Sequence, residues 1–312
     1  MRFAYPGYKN RAIASTDHST RFSILHSLVA PMRPSARTSE DREFTFDDRD
    51  FRRVCKMIRE YAGIHLHPHK RDMVYSRLAR RVRALDMDRF GDYLDYVEAD
   101  PDAELQGFIN ALTTNLTSFF RESHHFDMLA EHLRAHCRDG ASIWCNAAST
   151  GEEPYTLAIT ACEAYGTMTP PVRILATDID TNVLQTAARG VYPVERINGL
   201  SLQRRRQFFQ RGSGDNAGLC RVKPELQALI EFRPLNLLDD DYGLRGGFDA
   251  VFCRNVMIYF DKATQYQVLT RIAPLIASDG LLFAGHSESF GHAHDLITAC
   301  GRTTYRPAGA RK

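Results

Sequence analysis

The chain has 312 residues, 44% of them hydrophobic and 25% charged, a balance that excludes low-complexity and collagen-like polypeptides. Its length suits one or two domains of roughly 100–200 residues, enough to bury a core without disulfides. The net charge of +2 hides an asymmetry. Residues 1–38 carry six Lys/Arg against Asp17 alone, and residues 49–83 carry eleven against Asp50, Glu60 and Asp72. A basic N-terminal half calls for an acidic partner, either a nucleic acid or a carboxylate-rich protein surface. The seven cysteines are odd in number and contain no C-x-x-C, so they read as free thiols in a reducing compartment. No window approaches the ~20 apolar residues of a membrane span, and the N-terminus has no signal-peptide pattern. A cytoplasmic protein is expected.

Residues 1–43 read as a basic, disordered tail in which Pro6, Pro31 and Pro34 interrupt any periodicity. From Asp47 the texture turns helical. DDRDFRRVCKMIREYAGI opens on capping aspartates and places Phe51, Val54, Ile58 and Tyr61 at helical spacing, with Gly63 as its stop. HKRDMVYSRLARRVRALDM predicts a second helix. Its apolar stripe is Val74, Leu78, Val82 and Leu85, and Arg77, Arg80 and Arg83 take the opposite face. FGDYLDYVEADP and DAELQGFINALTTNLTS complete a small all-helical domain over 44–118.

The remainder, 119–312, has a different rhythm. SIWCNAA, VRILATDID, FDAVFCRNV and GLLFAGH read as strands. EEPYTLAITACEAY, TNVLQTAARG and KATQYQVLTRIAPLI read as the helices between them. Such alternation demands an α/β domain with a parallel sheet covered on both faces. Residues 190–235 break the pattern with Gly and polar turn signals, and read as a small antiparallel β insertion.

In a doubly wound sheet, ligands bind beyond the carboxyl ends of the strands. The first loaded end is NAASTGEEPY. Its small residues let a ligand approach the backbone, and Glu152 and Glu153 open the helix that follows. Two carboxylates there would repel a pyrophosphate, which needs that helix N-terminus free. A cationic sulfonium ligand fits better, although the glutamates could simply complement the helix dipole. Next is Asp178, a candidate for ribose hydroxyls or for an N-cap, a role Asp180 could fill instead. The third is FCRNVMIYF, where Arg254 and Asn255 emerge from an apolar strand and Tyr259 follows on a turn. Asn115, Thr117 and Arg121 lie where the two domains join, a common place for pockets.

INALTTNLTSFFRESHHF, AASTGEEPYTLAI, ATDIDTNVL, FDAVFCRNVMIYFDK and GLLFAGHSESF stand in one order along the chain. They closely resemble the chemotaxis receptor methyltransferases, the CheR family. The likeness runs from about Phe51 to Tyr305. It implies a Rossmann-like S-adenosylmethionine-dependent methyltransferase domain with the β insertion, preceded by the helical domain. It further implies methyl transfer to glutamate side chains of chemoreceptors, giving methyl esters and S-adenosylhomocysteine. By the same resemblance Asn115, Thr117, Arg121, Glu153, Asp178, Asn236, Leu237, Arg254 and Asn255 contact the cofactor. Tyr259 lies beside the transferred methyl, and Arg121 and Tyr259 are the catalytic candidates. Arg77 and Arg83, with Arg80 between them, would face the receptor's methylation helices. Arg211, Gly212, Gly214, Gly218 and Arg221 match a loop that binds a C-terminal receptor pentapeptide.

A carboxylate nucleophile is already ionised at pH 7, since Glu titrates near ~4.3. No general base is needed, which agrees with the lack of a convincing Ser-His-Asp or Cys-His arrangement. Nucleic-acid methylation is the first rival, but CRNVMIYF replaces an Asn/Asp-Pro-Pro-Tyr motif and no Pro-Cys dipeptide occurs. A non-enzymatic cofactor sensor on the same fold is the second. HLHPH and HSESFGHAH lack metal-ligand spacing, so no metal is expected.

Overall fold

The computed structural model describes residues 42–309. Most of the tail expected over 1–43 lies outside these residues. Its last residue, Glu43, accepts hydrogen bonds from Arg83, and the next, Phe44, is already buried.

Four helices come first: α1 (Asp48–Ala62), α2 (Arg71–Ala84), α3 (Phe90–Ala99) and α4 (Pro101–Leu112). Asp47 caps α1 through a reciprocal box with Asp50, and Gly63 ends it in the left-handed conformation. That pairing satisfies orphan N–H groups at the start, and the glycine allows the reversal at the end. Val54 and Ile58 of α1, Val74, Leu78 and Val82 of α2, and Phe90, Leu94 and Phe108 enclose one core. Each such side chain contributes about 1.5–3 kcal/mol on full burial. Glu104 is buried within this unit because Arg81 donates to both its oxygens (2.8 and 2.6 Å) and Tyr93 donates a third bond at 3.0 Å.

The α/β part follows with α5 (His124–His136), β1 (Ala141–Cys145), α6 (Glu152–Tyr165), β2 (Val172–Asp178) and α7 (Thr181–Arg189). Next come β3 (Val191–Pro193), α8 (Leu202–Phe208), β4 (Phe209–Arg211), β5 (Leu219–Val222), α9 (Pro224–Gln227) and β6 (Ile230–Pro234). The chain finishes with β7 (Phe248–Cys253), α10 (Lys262–Ile272), β8 (Ile276–Ala284), β9 (Ile297–Gly301) and β10 (Thr304–Pro307). The main sheet runs β6-β2-β1-β7-β8-β10-β9, parallel through β8 and antiparallel at β10 and β9.

Alternation along each strand splits the core in two. Ile143 and Cys145, with Ala250 and Phe252, face α5 and α6, whereas Trp144, Val251 and Cys253 face α10. β3, β5 and β4 form a separate antiparallel sheet with β5 in the middle. The insertion expected to run to about 235 is therefore shorter. Ile230–Pro234 pairs in parallel with Ile174–Asp178 as the edge strand of the main sheet. Turn signals on both sides of this short strand disguise it, and its partner lies far back in sequence.

Candidate functional site

Five segments converge on the carboxyl ends of the strands. The α4–α5 connection, the loop after β1, the tip of β2, the turn after β6 and the turn after β7 all line one cavity, whose far wall is the α1–α2 loop. Its volume is about 240 Å3, several times the roughly 30 Å3 share of one water, so it is sized for an organic ligand rather than an ion. Asn115, Thr117, Arg121, Glu153, Asp178, Asn236, Leu237, Arg254, Asn255 and Tyr259 all line it.

The α4–α5 connection is pinned one carbonyl at a time. Ser149 Oγ donates to Asn115 O at 3.1 Å, Arg121 Nη1 to Leu116 O at 2.8 Å, and Arg196 Nη2 to Thr117 O at 3.0 Å. Asn115 Nδ2 donates to Asp180 at 2.8 Å, and so does Thr113 Oγ1 at 2.6 Å. Phe120 and Glu122 take positive φ values of 53° and 56°. Such backbone costs about 1–3 kcal/mol per residue and swings Arg121 and Glu122 toward the strand tips.

Asp180 is the N-cap of α7, accepting from Asn182 and Val183 N–H. Asp178 does not cap that helix and lines the cavity instead. Its carboxylate accepts Ser149 N–H at 2.8 Å and Asp180 N–H at 2.9 Å. Burial outweighs those bonds and pushes it up to about 6. Before α6, Ser149 has φ 49° and Gly151 φ 99°. A Cβ on Gly151 would meet Tyr192 Oη at 2.7 Å and Ala187 Cβ at 2.8 Å, so only glycine permits this close turn.

The two glutamates that open α6 diverge. Glu152 turns away from the cavity and pairs with Arg196 of the insertion, while Thr150 Oγ1 donates to it at 2.6 Å. Glu153 lines the cavity but is held by Arg254 Nη1 at 2.5 Å, with the Cys145 thiol at 3.4 Å. The two carboxylates expected together at this helix start therefore do not both face a ligand: among the charged lining residues, Lys70, Arg121 and Arg254 accompany Glu153 and Asp178. A cavity of both signs suits a ligand of both signs.

Arg254 is the hub. Its buried guanidinium binds Glu153, the Arg121 carbonyl (2.5 Å) and Glu122 (3.2 Å). Burial works against its charge, but Glu153 and Glu122 more than compensate and raise its affinity for the proton. Glu122 in turn meets His286 Nδ1 at 2.8 Å and Asn255 Nδ2 at 3.4 Å. Burial would raise Glu122, yet His286 and Arg254 hold it at about 2. Asn255 takes φ 58° while its N–H, with those of Met257 and Gly285, donates to buried Glu288. A Cβ on Gly285 would overlap the Asn255 amide. Glu122, Gly285 and Glu288 were not among the expected site residues, although each lies inside a motif that carried the resemblance. What marks them is shared contact, which spacing does not display.

Asn236 Nδ2 donates to Tyr61 O at 2.7 Å, and His65 N donates to Tyr259 O at 2.9 Å. Both bonds tie the strand tips to the end of α1. Among the arginines of α2, Arg80 and Arg83 are exposed, but Arg77 is not on the free face. Its Nη1 donates to Leu112 O at 3.1 Å and Thr113 O at 2.5 Å, closing the end of α4. In the insertion, Arg211 ends β4 and Arg221 lies in β5. Gly214 and Gly218 have φ 58° and 87°, and a Cβ on Gly212 would overlap the Asn216 carbonyl.

A family model described as the SAM binding domain of CheR methyltransferase matches residues 115–306, and one described as its all-alpha domain matches 49–113. The chain belongs to the CheR methyltransferase family. Its curated CheR relatives include the chemotaxis protein methyltransferase of Salmonella typhimurium, 51% identical over 278 residues, covering 87% of this chain and 96% of the relative. That of Escherichia coli is 50% identical over 260 residues, covering 83% and 90%. Chemotaxis protein methyltransferase 2 of Pseudomonas aeruginosa is 49% identical over 270 residues, covering 86% and 96%. This CheR chain is therefore an S-adenosylmethionine-dependent methyltransferase of chemotaxis, with S-adenosylhomocysteine as product.

Proposed function

We propose that this enzyme esterifies glutamate side chains of chemoreceptors in the cytoplasm, using the cavity between the helical unit and the sheet. The observation that carries this reading is the convergence of Asn115, Thr117, Arg121, Glu153, Asp178, Asn236, Leu237, Arg254, Asn255 and Tyr259 on that cavity. No helix among the described residues is long and apolar enough to cross a membrane.

The residues fit the cofactor. Asp178 offers a carboxylate to ribose hydroxyls. Glu153 and Arg254 together offer one charge of each sign to an amino-acid group. Glu153, in the first turn of α6, sets a carboxylate on the cavity side of that helix start, where a pyrophosphate would need free N–H groups. S-Adenosylmethionine supplies an electrophilic methyl group on a sulfonium centre. Tyr259 would flank that cation, and an aromatic neighbour of this kind contributes roughly 0.5–2 kcal/mol. Arg121, half-exposed and anchored by one nitrogen to Leu116 O, keeps N–H groups to orient the incoming carboxylate. The chain's task is alignment and exclusion of water, and alignment alone can supply up to ~7–11 kcal/mol.

Arg80 and Arg83 would dock the acidic methylation region of a receptor, with Arg77 holding the end of α4 behind them. β4 is an edge strand, so a receptor tail peptide carrying the pentapeptide can add to it beside Arg211 and Gly212. Such tethering raises the local concentration of substrate without altering the chemistry. Incubating the enzyme with receptor fragments and S-adenosylmethionine, then mapping peptides by mass spectrometry, should show methyl esters on glutamates. Methyl groups confined to other residues, or none at all, would overturn the reading.

A further inference from the structure

Asn146 follows β1 and lines the cavity. It is 2% exposed, and among the described residues neither Nδ2 nor Oδ1 has a hydrogen-bond partner other than the weak Cys253 thiol. A buried amide left this way is expensive, because it has given up water for nothing. The same face of β1 shows that the fold can satisfy polar atoms there. Trp144, two residues earlier, donates its Nε1–H to Thr177 Oγ1 at 3.0 Å. The β1–β7 register, with Cys145 opposite Phe252, sets Asn146 against Cys253, whose thiol is a weak partner at best. The next residue, Arg254, has a buried Nε that is likewise unpartnered.

Strand order fixes which part of a ligand reaches Asn146. Asn236 and Leu237 follow β6, Asp178 ends β2, Asn146 follows β1, and Arg254 follows β7, in that spatial order. Three inter-strand steps of about 4.8 Å span about 14 Å, the scale of an extended nucleoside joined to an amino acid. With the ribose at Asp178, the part of the ligand that passes β1 toward Arg254 is the amino-acid end.

We propose that the Asn146 side-chain amide binds the amino-acid end of the methyl donor, Nδ2 donating to its carboxylate and Oδ1 accepting from its ammonium. This rests on the reading that the cavity holds S-adenosylmethionine. An amide meets both groups at once, which neither an acid nor a base alone can do.

The test compares two ligands by calorimetry: S-adenosylhomocysteine, which has the amino-acid end, and 5′-methylthioadenosine, which lacks it. Asn146→Ala should bind S-adenosylhomocysteine about tenfold or more weakly, about 1.4 kcal/mol, while methylthioadenosine affinity stays at the wild-type value. Asn146→Leu keeps the side chain's bulk and removes its polar atoms. It should match or exceed wild-type thermal stability without ligand and show the same selective loss. Equal S-adenosylhomocysteine affinity in the variants, or equal loss of both ligands, overturns the assignment. Failure of the wild-type protein to bind S-adenosylhomocysteine would instead overturn the cavity reading on which it rests.

Discussion

At the tip of β2, Asp178 accepts two backbone N–H bonds and still sits at about 6, because burial outweighs them. Since this lies above the ordinary ~3.9, the ionised carboxylate costs the unliganded fold stability at neutral pH. That cost is relieved as pH falls through about 6. Ribose hydroxyls donating to Asp178 would favour the ionised form. Binding should therefore be strongest above about 6 and weaken below it, by up to about tenfold per pH unit. Calorimetric titration of S-adenosylhomocysteine across this range, in two buffers of different ionisation enthalpy, should reveal proton release below about 6. Asp178→Asn should lower affinity at neutral pH by about tenfold or more and flatten the profile, since an amide does not titrate there. A wild-type affinity independent of pH would remove Asp178 from the ligand.

The helices of the N-terminal unit were legible because their evidence is local. Asp47 and Gly63 mark the two ends of α1, and Val74, Leu78 and Val82 recur at helical spacing. β1, β2 and β7 were legible as apolar runs, and their tips line the cavity. β6 was not, nor was the antiparallel pairing of β10 with β8 and β9, because partners distant in sequence decide it. Side-chain direction was the other obscured quantity. A helical wheel sets Arg77 with Arg80 and Arg83, yet the open carbonyls ending α4 draw its guanidinium inward. The neighbours Glu152 and Glu153 separate because Arg196 pairs with the first and Arg254 with the second.

This separation of the arginines can be measured. Arg83→Glu reverses an exposed charge paired with Glu43, so it should slow methylation of receptor fragments severalfold and leave cofactor affinity unchanged. Arg77→Ala uncaps the end of α4 next to Asn115. It should weaken S-adenosylhomocysteine binding and lower stability by about 1–3 kcal/mol. If both variants lost only receptor methylation, Arg77 would belong to the docking face after all.

At the scale of the molecule, the cavity has two owners. The end of α1 and the α1–α2 loop supply one wall, the strand tips supply the other, and the α4–α5 connection crosses between them. Direct bonds already join the halves: Asn236 to Tyr61 O, His65 N–H to Tyr259 O, Gln106 to Ile179 O, Asn110 to Thr181 and Arg59 to Asp261. A ligand touching both walls binds only when they are together, so it stabilises the docked arrangement as well as each part. S-Adenosylhomocysteine at a hundred times its Kd should add about 2.7 kcal/mol, raising the unfolding midpoint by about 4–5 °C for a chain of this size. Followed by calorimetry and by tryptophan fluorescence from Trp144, which lies in the sheet's core, the shift should be the same by both probes. Circular dichroism at helical wavelengths should move with them. If the helical signal melted first and its midpoint ignored the ligand, the wall made by α1 and the α1–α2 loop would not be part of the binding site.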